Sequence, residues 1–320
     1  SLFSCQCMQV KKRAVLGQIS DMDLRLLRVF RAVVDCGGMA AAELELNIGT
    51  STVSRHIKDL EARLGVSLCR RGRGGFALTP EGSRIYQATL RVLGSIADLR
   101  SEIHDLHQRL SGSLQLVLFD KTVTNPQAHI AAAIGTLRRL APDVSIEIRI
   151  HPLNEIERGI LDGRFHLGVL PVYRRSGACE YHPLFDETMY LYCGRGHALF
   201  DRADASIADS QVQAAAFAGL GFHSDNMERG HEFGLDRRAT AYDQEGVATL
   251  ILSGTYTGFL PDHYAASFVA QGRMRAIRPE RFTYRCSFGA IVRHDAQRPR
   301  LTRTFLDVLL AAHHETVRHS

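Results

Sequence analysis

Residues 49–65 read GTSTVSRHIKDLEARLG, and this stretch decides how the first third of the chain folds. Its aliphatic residues form one narrow stripe on a helical wheel: Val53, Ile57, Leu60 and Leu64. The stripe predicts a helix that packs on a core, with Thr50 or Ser51 as its N-terminal cap. Polar side chains lie roughly opposite: Ser51, Ser54, Arg55 and Lys58. They suit a helix lying in a DNA groove, but by themselves are more typical of a solvated face.

The flanking residues favour the DNA-binding interpretation. Apolar spacing predicts a helix from Asp23 that ends at Gly37–Gly38, a second helix over residues 39–46 and a turn at residues 47–49. Three short helices with a tight turn before the third indicate a helix-turn-helix. Residues 68–79 read LCRRGRGGFALT and predict a hairpin with Arg70, Arg71 and Arg73 at its tip, a wing that suits the minor groove. A nucleotide-binding loop is excluded because no Gly-Lys-Ser/Thr follows the glycines.

A long amphipathic helix follows the hairpin. Thr79-Pro80-Glu81 is a typical helix start, with threonine as the cap and proline at the first helical position. An approximate heptad stripe continues to residue 110: Tyr86, Leu90, Leu93, Ile96, Ile103, Leu106 and Leu110. About 30 helical residues extend roughly 45 Å, longer than a small winged domain can cover, so we expect this helix to form a homodimer.

Charge and composition are consistent with this division. Residues 1–110 carry 16 Lys and Arg against 11 Asp and Glu, whereas residues 111–320 carry 23 of each, so the whole net charge of +5 lies in the first third. Clustered basic charge attracts phosphate backbones. No apolar run is long enough for a membrane span and no secretory signal is recognisable, so we expect a cytoplasmic protein. The seven scattered cysteines and dispersed histidines predict neither a disulfide framework, a metal site nor a cofactor.

The order LRLLRVF, AAAELELNIGTSTVSRHIKDLEARLGVSLCRR and ALTPEG resembles the DNA-binding region of LysR-type transcriptional regulators over about residues 22–110. The resemblance implies double-stranded operator DNA as a partner, a dimer or tetramer, and RNA polymerase as a further partner. It departs from the family at Cys69, where phenylalanine is usual, and at Gly74, where the second wing arginine is usual. The residues expected to contact DNA are Thr50, Ser51, Ser54, Arg55, Lys58, Arg70, Arg71 and Arg73.

The remaining two-thirds alternate strand-like and helical runs, which predicts an α/β fold with parallel strands. Residues 168–171 (GVLP) and 258–261 (GFLP) echo each other. By the resemblance, two such strands cross between the subdomains of an effector domain like those of periplasmic binding proteins. We expect an extension over 1–21, a winged helix-turn-helix over 22–79, a linker helix over 80–110, and an effector domain over 113–320. Subdomain I comprises about 113–171 and 262–320, and subdomain II comprises 172–261.

A small-molecule effector is expected in the cleft between the subdomains. By the resemblance, the loop of residues 120–124 lies at a helix N-terminus in this cleft, where Lys121 and its threonines suit an anion or a carboxylate, although a surface lysine beside a capped helix remains the alternative. The candidate effector residues are Lys121, Thr122, Thr124, Pro171, Tyr173, Arg174, Phe222, His223, Tyr256 and Thr257.

Three alternatives remain open. An enzyme is not expected, because Ser224 and Asp225 beside His223 lack a nucleophile elbow and no HExxH or paired CxxC motif is present. A redox-sensing regulator would use Cys179 and Cys193, the two cysteines of subdomain II, although buried inert thiols are the more typical case. A constitutive or architectural DNA-binding protein would carry a C-terminal domain that only oligomerises. The sequence does not indicate activation or repression.

Overall fold

The computed structural model describes residues 19–72, 75–106, 110–173, 175–295 and 298–317. The chain divides into two compact units, residues 1–96 and residues 97–320. The expected extension over residues 1–21 lies mostly outside the described residues. The described part of the first unit contains helices, a short hairpin and the start of a long helix: α1 (Asp21–Asp35), α2 (Met39–Leu46), α3 (Thr50–Leu64), β1 (Cys69–Gly72), β2 (Gly75–Leu78) and α4 (Pro80–Leu106).

The stripe predicted on α3 is the side that faces the core. Val53, Ile57 and Leu60 are at most 1% exposed, and they pack with Leu26 and Phe30 of α1. The two helices are also joined by charge. The Arg63 Nη2 donates to Asp23 Oδ2 at 2.9 Å, and the Ser20 hydroxyl and backbone N–H donate to the same oxygen. These contacts, led by the Ser20 hydroxyl, lower the pKa of the buried Asp23 carboxyl to about 2.

The N-terminal cap of α3 differs from the prediction. The cap residue is Gly49, in an extended conformation and without a capping side chain. The Thr50 hydroxyl donates instead to the Glu43 carboxylate on α2, so it joins the two helices of the motif and no longer serves as a cap. Because the helix begins at Thr50, Ser51 lies within its first turn.

The hairpin β1–β2 is pinned to both helices that flank it. Glu61 Oε1 on α3 accepts hydrogen bonds from the backbone N–H groups of Leu68 (2.7 Å) and Cys69 (3.3 Å). Thr79 caps α4 as predicted, because its hydroxyl oxygen accepts from Gly82 N at 2.8 Å. Glycine is required at position 82, since a Cβ there would lie 1.9 Å from the Leu68 carbonyl oxygen. The wing is therefore held at both ends by polar contacts.

In the second unit, nine strands of the described residues form one mixed sheet, in the order β4-β3-β5-β11-β6-β9-β7-β8 with β10 paired to β6. The elements are β3 (Gly112–Leu118), α5 (Ile130–Leu140), β4 (Val144–Ile150), α6 (Leu153–Leu161), β5 (Leu167–Pro171), β6 (Cys179–Gly194), α7 (Asp209–Gln213), β7 (Ala216–Leu220), α8 (Asp225–Glu232), β8 (Asp236–Ala241), α9 (Gln244–Leu252), β9 (Thr257–Pro261), α10 (Asp262–Ala270), β10 (Met274–Ala276), β11 (Thr283–Arg293) and α11 (Arg300–Val317). The predicted α/β fold class is confirmed.

Two parallel groups of strands are joined by an antiparallel pair. Strand β3 is parallel to β4 and β5, and β7 is parallel to β8 and β9. The long strands β6 and β11 pair with each other between these groups. The strand that pairs with both β5 and β6 is β11, whereas β9 (residues 257–261) lies between β6 and β7. The second connection between the two groups of strands is therefore made by β11, which pairs with β5 of the first group. Residues 258–261 (GFLP), which were expected to make this connection, lie in β9 of the second group.

Thr79→Ala is expected to destabilise the first unit by about 1–2 kcal/mol, because it removes a buried cap and leaves the Gly82 N–H without its acceptor. Thr79→Ser keeps the hydroxyl and serves as the matched control. Chemical denaturation followed by circular dichroism measures both variants, and equal stabilities for the two would contradict the role of this cap.

Candidate DNA-binding surface and ligand cleft

The polar face of α3 is open to solvent. Ser51, Arg55 and Lys58 are exposed, whereas Thr50 and Ser54 are half-buried. Arg55 and Lys58 lie about one turn apart, so their side chains project from one side of the helix. This face is opposite the stripe that packs on α1. Its geometry suits hydroxyl and cationic contacts with a nucleic acid.

The wing arginines are described only in part. Arg70 is exposed on β1, and Arg71 pairs in the backbone register with Phe76 of β2. Arg73 lies outside the described residues. Among the wing arginines, exposure is therefore established for Arg70, which belongs to the same unit as α3.

A cavity of about 30 Å³ lies in the second unit, where the two groups of strands meet. Such a volume holds about two water molecules. Its lining is mostly apolar and aromatic, with a few polar groups: Phe119, Leu153, Pro171, Tyr173, Glu187, Met189, Leu220, Phe222, Ser224, Asp225, Asn226, Gln244, Tyr284, Cys286 and Phe288. An apolar cavity with few convergent polar groups is the usual form of a small-molecule site.

Glu187 of β6 is the most buried charged residue in this lining, at 5% exposure. Its Oε1 lies 2.9 Å from His263 Nε2 and 3.5 Å from Asn125 Nδ2. The other ring nitrogen of His263 lies 2.7 Å from the Thr124 hydroxyl. A chain of polar contacts therefore runs from the predicted loop of residues 120–124 to the cavity wall.

Burial raises the pKa of two further carboxylates, Asp225 in the cavity lining and Asp120 next to the lining residue Phe119. The pKa of Asp225, at the start of α8, is raised mainly by loss of water contact. The pKa of Asp120, at the end of β3, is raised to about 6 for the same reason, although its Oδ2 accepts a hydrogen bond from Gln244 N at 2.7 Å. Both side chains are thus held where ionisation is unfavourable.

The buried amide of Gln244 has an unsatisfied acceptor. Gln244 is 3% exposed, lines the cavity, and its Oε1 accepts no hydrogen bond from any described residue. A buried carbonyl oxygen without a donor is unfavourable, so the cavity is suited to a bound group that donates a hydrogen bond to it.

Lys121 is occupied by contacts outside the cavity lining. It adopts a left-handed conformation (φ 63°), and its Nζ lies 3.0 Å from Glu245 Oε2 and 5.0 Å from the centre of the Tyr264 ring. Thr122 is buried in a short 3-10 turn over Thr122–Thr124. The loop chosen as an anion site is thus built around an internal ion pair.

Only some of the other predicted effector-binding residues lie together at the cavity. Pro171, Tyr173 and Phe222 line the cavity. The Tyr173 hydroxyl contacts His223 at 3.2 Å and the Glu228 carboxylate, at the cavity rim. Thr257 is fully buried within β9, and Tyr256 is half-buried just before that strand. Arg174 lies outside the described residues.

Sequence reasoning missed most of the polar lining, namely Glu187, Asp225, Asn226 and Gln244. A signal for three of these residues was present: Asp225 and Asn226 start the helix after β7, and Gln244 starts the helix after β8. Ligands in open α/β sheets bind outside the carboxyl ends of parallel strands, where such helix starts meet. Glu187 carries no such signal, because it lies in the middle of an antiparallel strand.

The two cysteines considered as a redox pair are far apart, because they lie near the two ends of the same strand. Cys179 and Cys193 lie at opposite ends of β6, 14 residues and roughly 45 Å apart along an extended strand. A disulfide requires Cα atoms within about 7 Å. Burial also raises the pKa of the Cys193 thiol to about 12 and that of Cys179 above its usual value. These two thiols cannot form an internal disulfide in this fold.

Within the described ranges, no group of three or more His, Cys, Asp or Glu side chains is arranged to hold a metal ion. Cys5 and Cys7 lie outside these ranges. None of the described helices is both long and apolar enough to span a membrane.

Asp120→Asn is expected to stabilise the second unit at neutral pH. Because burial raises the pKa of Asp120 in the folded state to about 6, above its ordinary value in the unfolded chain, wild-type stability falls as pH rises from about 4 through 6. The variant has no carboxyl to ionise at this position and so avoids this loss. Its free energy of unfolding is therefore only slightly above that of wild type near pH 4 and exceeds it by up to about 3 kcal/mol near pH 7.5. Scanning calorimetry of the full chain at both pH values measures it, with Asp143→Asn, at an exposed turn, as control. Equal effects at both pH values would contradict the assignment.

Comparison with known proteins identifies both units. Residues 24–83 match the family described as bacterial regulatory helix-turn-helix protein, lysR family, and residues 107–313 match the LysR substrate binding domain. HTH-type transcriptional activator BauR of Pseudomonas aeruginosa is 46% identical over 286 residues, which cover 89% of this chain and 93% of that protein. HTH-type transcriptional regulator CrgA of Neisseria meningitidis is 23% identical over 303 residues, covering 89% and 95%.

Solved structures share the fold. The crystal structure of CbnR, a LysR family transcriptional regulator, superposes with a TM-score of 0.63 at 18% identity and covers 91% of this chain and 99% of that chain. Full-length CbnR complexed with its target DNA gives a TM-score of 0.60 at 19% identity, covering 90% and 99%. The resemblance inferred from the helix-turn-helix residues is confirmed: the chain belongs to the LysR family of bacterial helix-turn-helix proteins and is a DNA-binding transcriptional regulator with an effector-binding domain.

Proposed function

We propose that this regulator reads an AT-rich interrupted palindrome with α3 and the β1–β2 wing. The observation that carries the proposal is the division of α3 into a buried aliphatic side and an exposed side with Ser51, Arg55 and Lys58. Ser51, Ser54 and Arg55 approach base edges, and Thr50 and Lys58 contact phosphates or adjacent bases. Thr50 contributes from its position beside Glu43. The wing contributes Arg70, Arg71 and Arg73 to the groove beside it.

The effector binds in the cavity between the two groups of strands. Its lining includes Pro171, Tyr173 and Phe222 from the sequence-selected set and Glu187, Asp225, Asn226 and Gln244 from the structure. The domain map becomes 22–79 for DNA binding, 80–110 for the linker helix and 113–320 for effector binding, with β11 and α11 in subdomain I. A ligand that touches both subdomains favours their closure, and closure alters the geometry of the assembly on DNA.

The assembly is a homodimer formed through α4, or a tetramer of two such dimers, that acts on the chromosome in the cytoplasm. Its output is activation through RNA polymerase, a direction supported by the 46% identical relative being a transcriptional activator. We propose no enzymatic activity, since the thiol among the described lining residues, Cys286, has a pKa that burial raises well above its usual range. A constitutive DNA-binding protein is the second candidate, and it is disfavoured by the unsatisfied Gln244 carbonyl in a cavity.

Arg55→Ala is expected to weaken specific operator binding by at least about tenfold, because a bidentate contact with a base contributes about 1–3 kcal/mol of discrimination. Lys58→Ala is expected to lower affinity similarly for operator and unrelated DNA and to reduce the salt slope by about one. Fluorescence anisotropy with the upstream intergenic DNA at several salt concentrations measures both.

The matched control is Arg28→Ala. Arg28 is exposed on α1, and this helix packs against the aliphatic side of α3, opposite Arg55 and Lys58. It is expected to leave operator affinity nearly unchanged. Binding by Arg55→Ala that matches the Arg28→Ala control would refute the role given to α3.

Leu99→Glu is expected to weaken the dimer. Leu99 of α4 is 56% exposed, and a dimer interface formed through α4 would bury it. A charge at this position would be desolvated on association and so raise the dimer dissociation constant by at least about tenfold. Analytical ultracentrifugation measures this, with Ser83→Glu, exposed on the opposite side of the same helix, as control. An unchanged dissociation constant would exclude this face from the interface.

A further inference from the structure

The cavity between the strand groups carries negative charge and aromatic rings. Among the described residues that line it, the charged side chains are Glu187 and Asp225, and none is a lysine or an arginine. The rings come from Phe119, Tyr173, Phe222, Tyr284 and Phe288. Carboxylates together with ring faces attract a cation and repel an anion.

Lys121 and Arg229, the cations near Asp120 and Asp225, are ion-paired with other acids, whereas His263 contacts Glu187 itself. Lys121, beside Asp120, is ion-paired with the exposed Glu245 at 3.0 Å. Arg229, beside Asp225, is ion-paired with Glu232 at 2.5 Å. His263 Nε2 and Asn125 Nδ2 both contact the same oxygen of Glu187, Oε1.

The Gln244 carbonyl gives an independent indication of the missing group. It is an acceptor, 3% exposed, without a donor among the described residues, and it lines the same cavity. A protonated amine supplies several N–H donors and one positive charge, whereas a carboxylate supplies neither. The two observations favour a cationic donor, which is opposite to the anion expected from Lys121. The same lining also holds a buried donor without an acceptor among the described residues, Asn226 Nδ2, so the ligand that carries the amine also needs an acceptor atom.

We infer that the effector cavity of this regulator recognises a small molecule through a protonated amino group, held by Glu187 and Asp225, by the Gln244 carbonyl and by the surrounding aromatic rings. The inference rests on the proposed function and adds the ligand class. The cavity volume limits the group that enters it to a few non-hydrogen atoms.

The test compares ligands matched in size and different in charge. The full-length protein is titrated with methylamine to butylamine hydrochlorides, with the sodium salts of formate to butyrate and with the corresponding alcohols, at constant ionic strength. The amines are expected to raise Tm by several degrees at tenfold excess over their dissociation constant, and the carboxylates and alcohols are not. A rise with the carboxylates or alcohols instead, or no rise with any amine, would overturn the inference.

Three variants locate the binding. Glu187→Gln and Asp225→Asn are each expected to lower amine affinity at least about tenfold, because each removes a charge-assisted hydrogen bond. Asp143→Asn removes an exposed carboxylate in a turn outside the cavity lining, and it should retain wild-type affinity. If Glu187→Gln fails to fold, Asp225→Asn provides the same test. Equal affinity in Asp225→Asn and wild type would overturn the inference.

DNA binding is measured on the same samples by anisotropy with the upstream intergenic DNA. Specific DNA binding with amine selectivity supports the inference. Specific DNA binding with carboxylate selectivity overturns the inference alone and leaves the proposed function standing. Absence of specific DNA binding overturns the proposed function on which the inference rests.

Discussion

The pairing of β6 with β11 is the constraint on which the effector-binding unit depends. These two strands join the parallel groups on either side, and their register sets Glu187 opposite Cys286 and Met189 opposite Tyr284. Side chains alternate along a strand, so all four face the cavity together. A slip of one residue would turn these side chains to the other face of the sheet. Register is therefore what creates both the cavity and its charge.

The helix-turn-helix could be predicted from the sequence because its determinants are local. The aliphatic stripe of α3 lies within 15 residues, and the cap of α4 is formed by Thr79 and Gly82 three positions apart. The cap of α3 was less predictable, since Thr50 contacts Glu43 of the preceding helix. That contact competes with capping and depends on how α2 and α3 pack.

The ligand cleft could not be predicted in the same way, because its contacts are distant in sequence. Lys121 suggested an anion site, yet its partner Glu245 is 124 residues away. Asp120 accepts from Gln244 across the same separation. The residues that start the helices after β7 and β8 could be recognised from the sequence as candidate ligand-binding positions. The sequence did not show that they lie near Glu187 in the folded protein. Two parallel groups joined by an antiparallel pair are needed to bring these residues together.

Burial of carboxylates explains why such a cleft can couple ligand binding to conformation. Asp225 in the cavity lining and Asp120 next to the lining residue Phe119 have raised pKa values because burial removes water from their charged forms. These charged forms are therefore disfavoured unless another group compensates them. A ligand that compensates this charge stabilises the arrangement in which both strand groups contact it. The same burial acts against thiol chemistry: Cys286, between Glu187 and Asp225, has a pKa well above its usual value. Its thiolate is disfavoured by low polarity and by two neighbouring acids, whereas a cationic ligand is favoured by those same acids. The residues that make this cleft unsuited to a reactive cysteine are therefore those that suit it to an amine.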